Sequence, residues 1–255
     1  MYMRLLLGCL LLTVVSVAQP PQSNPGSNHG NRFEQLGYLL QSPNEYRTAS
    51  GAPGPKYWQQ KADYDISVEL DEANLRLTGT ETITYFNNSP DQLTYLWMQL
   101  DENIHDPNHD YLRNSRNRMN TTMSNTQLVN LEKWRTAQES GLGIKITKLT
   151  DAAGNALKYT LNQTMMRIDL PTPLKPKEKV SFSIKWWYNI NNYRVDGGRS
   201  GYEEFEKDGN RLYVIAQFFP RMAVYNDVEG WQNMQFWGRG EFALAFGNYD
   251  VNITV

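Results

Sequence analysis

The sequence predicts an all-β domain, an antiparallel, saddle-like sandwich of two sheets preceded by a signal peptide and a polar leader. Apolar and polar residues alternate over long runs from Lys61 onward, and clusters of Gly, Pro, Asn and Asp interrupt those runs at short intervals. The 255 residues also include 7 Trp, 15 Tyr and 9 Phe, a composition that suits short strands joined by turns. With 40% hydrophobic and 20% charged residues the chain can bury a sizeable core. Its 25 Lys and Arg against 27 Asp and Glu give a net charge of −2. That balance lacks the basic footprint of a nucleic-acid binder and argues against nucleic acid as a partner.

Residues 1–18 read as a secretory signal peptide. Arg4 supplies the basic start, an apolar run extends from Leu5 to Val15, and Ser16 and Ala18 stand at the −3 and −1 positions of a cleavage site. The chain is therefore expected to be exported to the periplasm or beyond a bacterial envelope. The run is too short for a permanent membrane span. Cys9, the single cysteine, lies in Leu6-Leu7-Gly8-Cys9 within the run. This outline of a lipoprotein box fits poorly, because Leu7 is bulky and cleavage there would leave an apolar region of only about four residues. A mature chain without cysteine has neither a disulfide nor a thiolate metal site. Residues 19–55 are rich in Pro, Ser, Asn, Gln and Gly and form the expected flexible leader, with Phe33, Leu36, Tyr38, Leu39 and Leu40 as its apolar group.

The β domain is expected over residues 56–255. Tyr64, Ile66, Val68 and Leu70 alternate with Asp65, Ser67 and Glu69, which puts one strand face on a core and the other in water. Residues 75–86 repeat the habit with Leu75, Leu77, Ile83 and Tyr85, Gly79 is a candidate bulge, and Asn87-Asn88-Ser89-Pro90 ends the strand in a turn. Leu93, Tyr95, Trp97 and Met98 open the next strand. Residues 101–123 are polar and read as a long loop. Residues 126–140 read as a short helix with Leu128, Leu131 and Trp134 on one face. Strands return at 144–149, 156–161, 165–170 and 180–190, with Asp151 to Asn155 and Pro171-Thr172-Pro173 as turns. Asp208-Gly209-Asn210 closes a hairpin whose second arm is 212–218, and strands 241–246 and 249–255 surround Gly247-Asn248. A last strand that runs to Val255 with neither turn nor polar tail leads to the expectation that the protein continues into a further domain.

Few residues can carry chemistry. His105-Asp106-Pro107-Asn108-His109 has the outline of a zinc-binding H-E-x-x-H helix, but Pro107 opposes the helix that would aim both imidazoles at one ion, and Asp is shorter than the Glu required as base. The only other histidine, His29, lies in the leader, so triads and three-ligand zinc sites are hard to assemble. Glu203, Glu204, Glu206, Asp208, Asp227 and Glu229 could supply a glycosidase pair, although spacing selects no two of them. Trp186-Trp187-Tyr188, with Trp231, Phe236 and Trp237, could pack a core or stack on sugars. A stand-alone binding module for carbohydrate or peptide through Trp186, Trp187 and Trp231 is the alternative reading.

The run Tyr213-Val214-Ile215-Ala216-Gln217-Phe218-Phe219-Pro220-Arg221-Met222-Ala223-Val224-Tyr225-Asn226-Asp227, followed by Gly230-Trp231 and Gly240-Glu241-Phe242, resembles the amino-terminal domain of aminopeptidase N-like zinc metallopeptidases, in the branch common in Bacteroidetes-type bacteria. Tyr64-Asp65-Ile66, Leu77-Thr78-Gly79 and Glu81-Thr82-Ile83 resemble that domain's opening strands. The resemblance implies a saddle-shaped β domain ahead of a catalytic domain absent from this chain, where the zinc ligands of the full-length enzyme would lie. It implies a peptide substrate held by its free amino terminus, and it implies substrate binding by Gln217, where the family places a Gln or Glu that reaches into the active site. No catalytic residue and no metal ligand is expected within this chain, which would serve as scaffold and as one wall of the cleft.

Overall fold

The computed structural model describes residues 43–110, 122–129, 131, 135, 141–197, 199–238 and 243–255. The expected signal peptide, most of the expected leader and Trp134 lie outside the described residues. Thirteen strands are present among these: β1 (Lys61–Asp71), β2 (Arg76–Phe86), β3 (Leu93–Gln99), β4 (Lys145–Asp151), β5 (Lys158–Asn162), β6 (Met165–Leu174), β7 (Lys179–Asn189), β8 (Ser200–Phe205), β9 (Asn210–Ile215), β10 (Arg221–Met222), β11 (Tyr225–Asn226), β12 (Gly230–Trp231) and β13 (Tyr249–Thr254). They form a five-stranded sheet in the order β13-β1-β2-β7-β4, a four-stranded sheet in the order β10-β3-β6-β5, and the ribbons β8-β9 and β11-β12.

The alternation in β1 and β2 is the cause of the sandwich. Ala62, Tyr64, Ile66 and Val68 of β1 and Leu77, Ile83 and Tyr85 of β2 are buried in one cluster with Leu96 and Met98 of β3, Met166 and Ile168 of β6, and Phe182, Ile184 and Trp186 of β7. Each Val, Leu, Ile, Met or Phe side chain among these contributes roughly 1.5–3 kcal/mol when taken out of water. The sheets are antiparallel except at one edge, where β13 pairs parallel to β1 with Tyr64 opposite Tyr249 and Val68 opposite Ile253.

Several expectations are corrected. Gly79 is not a bulge: β2 pairs with β1 and β7 in unbroken register, and Gly79 faces Val68 and Trp186. The residue is glycine because an added Cβ would lie 2.2 Å from the Trp186 ring. Pro171-Thr172-Pro173 is not a turn but the end of β6, beyond Asp169, the last residue of β6 paired with β5, so few ladder donors are required there. In place of a solvated loop, Asp101–His105 forms a 3₁₀ turn in which Asp101, Glu102 and Asn103 are buried. Residues 125–129 are helical, but Leu128 and Leu131 are exposed. Of the strand expected at 241–246, residues 243–245 are irregular and Phe246 makes a single bridge to Lys61.

Residues 43–55 fold against the domain, although the sequence places them in the leader. Arg47 bridges Pro53 and donates from Nε and its terminal nitrogen to the two carboxylate oxygens of Asp227, at 2.7 and 2.8 Å. Among the described residues no helix is long and apolar enough to cross a membrane.

Candidate functional site

Gln217 lies in a turn two residues beyond the end of β9 rather than on a strand, and its backbone is left-handed, with φ of 59°. An L-residue other than Asn or Asp rarely adopts that conformation. Its side chain is half-buried and makes no hydrogen bond among the described residues. Phe218 and Phe219 follow, with ring centroids 5.0 Å apart, and Phe219 packs edge-on against Tyr64 and Tyr249. Tyr249 in turn stacks on Tyr64 at 4.8 Å.

Beside Tyr249 the inner face of the five-stranded sheet runs out from under its cover. In the parallel register Val251 follows Ile66 and Ile253 follows Val68, so these side chains extend the core-facing row of β1. Yet Tyr249, Val251, Ile253 and Val255 are exposed, as is Phe246, at 73%.

The turn that carries Gln217 is anchored downstream by buried charge. Arg221 of β10 donates to the Asp101 carboxylate, and both side chains are almost fully buried. Burial pushes the Asp101 carboxyl up to about 6 against the pull of Arg221. Burial likewise pushes Glu102 up to about 8, with opposition from Ser200 and reinforcement from Asp101. Glu81 occupies an inward slot of β2 between Gly79 and Ile83, fully buried, and neither of its carboxyl oxygens has a hydrogen-bond partner among the described residues. Burial alone holds it well above the ordinary carboxyl range. Sequence reasoning missed Asp101, Glu102, Arg221 and Tyr249. Glu81 was legible as a carboxylate at an apolar position of an alternating strand.

The remaining candidates do not converge. His105 ends the 3₁₀ turn, and His109 is buried edge-on against Trp237. Burial lowers His105 to about 4, with a smaller contribution from His109, and His109 is also lowered. No group of three His, Cys, Asp or Glu able to hold a metal ion occurs among the described residues, so these residues do not fit a zinc centre. Glu203 pairs with Arg194, Glu204 approaches Arg211 at 3.7 Å, and Asp227 is held by Arg47. These carboxylates are spread over the β8-β9 hairpin and the leader contact. Trp186 and Trp231 are buried, the latter between Tyr85 and Tyr225, and Trp187 lies under the Arg76 guanidinium at 4.2 Å. An exposed stacking row of Trp186, Trp187 and Trp231 is therefore absent.

No protein-family model matches the chain, and no curated protein matches it. Among solved structures, a mutant M1 zinc metallopeptidase from Deinococcus radiodurans bound to a Tyr-Ser-Ala substrate aligns at 11% identity and a TM-score of 0.32, over 52% of this chain and 21% of that one. A two-domain M1 zinc metallopeptidase mutant bound to L-tryptophan aligns at 13% identity and a TM-score of 0.34, over 60% and 26%. The M1 zinc metallopeptidase from Deinococcus radiodurans aligns at 11% identity and a TM-score of 0.30, over 55% and 22%. The chain spans about a fifth to a quarter of the length of these structures. Likeness at these scores assigns neither family nor activity.

Proposed function

We propose that this chain is the amino-terminal β domain of an exported zinc metallo-aminopeptidase of the aminopeptidase N-like kind, acting as one wall of the substrate cleft and as the seat of a catalytic domain. The observation that carries the reading is the Gln217 amide, without a hydrogen-bond partner among the described residues, two residues before Phe219, which packs edge-on against Tyr249 at the start of the exposed Tyr249, Val251 and Ile253 row. A glutamine amide suits the amino end of a peptide, because its oxygen accepts from an ammonium group while its nitrogen donates to a carbonyl. The apolar face suits a tightly packed partner domain, which would exclude water from the cleft. The run Tyr213 to Asp227 that resembles the family's amino-terminal domain includes both Gln217 and Phe219, the ring that meets Tyr249. Zinc is assigned to the partner catalytic domain, since the described residues of this chain do not assemble a site for it.

The reading is tested on the protein as its own cell makes it. An affinity tag inserted in the exposed turn at residues 152–154 allows the native polypeptide to be isolated and assayed for zinc and for release of amino-terminal residues. Stoichiometric zinc and release of single amino-terminal residues are expected, with an increase of about tenfold in KM on Gln217→Ala. A tagged polypeptide that contains no zinc and releases no amino-terminal residue would refute the reading.

A further inference from the structure

Resting on the reading of Gln217 as a substrate-contact residue, we propose that the buried Asp101–Arg221 ion pair, together with Tyr64, positions the Gln217 amide, which makes Asp101 and Arg221 positioning residues for substrate binding. The starting observation is the left-handed backbone at Gln217. A strained conformation at a residue other than glycine persists only where its surroundings over-determine it.

Upstream, the hold is slight: β9 ends at Ile215, and Ala216 donates to the Arg199 carbonyl at a long 3.3 Å. Downstream, β10 has only the residues Arg221 and Met222, paired with Gln99 and Met98 at one edge of the four-stranded sheet. Two paired residues do not fix a strand by themselves, and the side chains supply what the ladder lacks. Arg221 reaches the Asp101 carboxylate in the 3₁₀ turn just after β3, across 120 positions of sequence. The N–H of Met222 donates to the Tyr64 hydroxyl at 2.9 Å, while the ring of the same tyrosine meets Phe219 edge-on at 5.6 Å. Residues 218–222 are thus gripped at Phe219, Arg221 and Met222. The turn at Gln217 is the first point upstream where the chain leaves that grip. A buried charge-assisted pair tolerates little displacement, because movement would leave two charges uncompensated in an apolar setting. This strictness is what a binding amide held by a short turn requires.

The test compares wild type with Asp101→Asn in the full native polypeptide. Hydrogen exchange over residues 216–219 is expected to quicken about tenfold or more while β1 and β2 change less than about twofold. In the peptidase assay KM is expected to rise about tenfold with kcat nearly unchanged, and Gln217→Ala added to Asp101→Asn is expected to cost nothing further. Arg221→Lys, which keeps the charge and loses the planar fork, is expected to show the same pattern more weakly and serves if Asp101→Asn fails to fold. Unchanged exchange at 216–219, an equal rise throughout the domain, or additive losses in the double variant would overturn the proposal. If the wild-type polypeptide cleaves no peptide, the reading of Gln217 falls, and exchange alone decides whether the pair holds the turn.

Discussion

Replacing Glu81 by Gln isolates the most costly feature of the core. Glu81 faces inward between Ile66 of β1 and Ile184 of β7, and both carboxyl oxygens lack a hydrogen-bond partner among the described residues. Burial raises its folded-state affinity for a proton well above the ordinary range, whereas in the unfolded chain the group titrates near 4.3. Above that pH the unfolded state releases the proton while the folded state retains it. Stability from this group is therefore fully present below about 4.3 and is lost as pH rises toward the folded value, at about 1.4 kcal/mol per pH unit. Glu81→Gln keeps the shape and has no proton to lose, so any constant difference from its amide is independent of pH. Asp101 and Glu102, raised to about 6 and about 8, act with the same sign in both proteins and cancel in the comparison. Urea unfolding at pH 4.5, 5.5 and 6.5 should show the variant gaining on wild type as pH rises, by up to about 1.4 kcal/mol per pH unit. A gap that does not change with pH would refute the assignment of a buried, protonated Glu81.

Gly79→Ala should destabilise the domain by about 2–3 kcal/mol in urea unfolding, because its Cβ would lie 2.2 Å from the Trp186 ring. The near-ultraviolet dichroism of the Trp186 and Tyr188 stack should change with it, and a loss below about 0.5 kcal/mol would show that the indole is not fixed there. Arg47→Ala should cost about 1–3 kcal/mol by stranding the buried Asp227 carboxylate. It should also expose residues 48–56 to limited proteolysis, and an unchanged cleavage pattern would show that the pair does not fasten this segment.

Much of the fold is legible because period-two alternation and burial are the same physical fact in β1, β2 and β7. Tyr64, Ile66 and Val68 declare their face one strand at a time, and Asp208-Gly209 declares the β8-β9 hairpin in four residues. The features that sequence did not disclose depend on partners far away in the chain. Asp101 and Glu102 look like loop carboxylates until Arg221, Ser200 and the sheet above bury them. Arg47 looks like part of a polar leader until Asp227, 180 positions later, accepts its guanidinium. Pro171 and Pro173 are ordinary turn signals, and they fit in a strand because β5 begins only at Lys158, opposite Asp169, and leaves the rest of β6 without a β5 partner. The left-handed turn at Gln217 was not legible, since φ there is set by contacts outside the segment.

The central claim, that the Tyr249 to Val255 face seats another domain in the working protein, is tested most directly by cysteine protection. Cys9 is the single cysteine of these 255 residues, and labelling is read at the introduced thiol itself by peptide mass, whatever cysteines the rest of the native polypeptide carries. Ile253→Cys on the uncovered face and Thr160→Cys on the exposed strand β5 are labelled with a maleimide in the native polypeptide. The account predicts that Ile253→Cys reacts at least about tenfold more slowly than Thr160→Cys and matches it once the protein is denatured. Equal labelling of the two in the native state would contradict it.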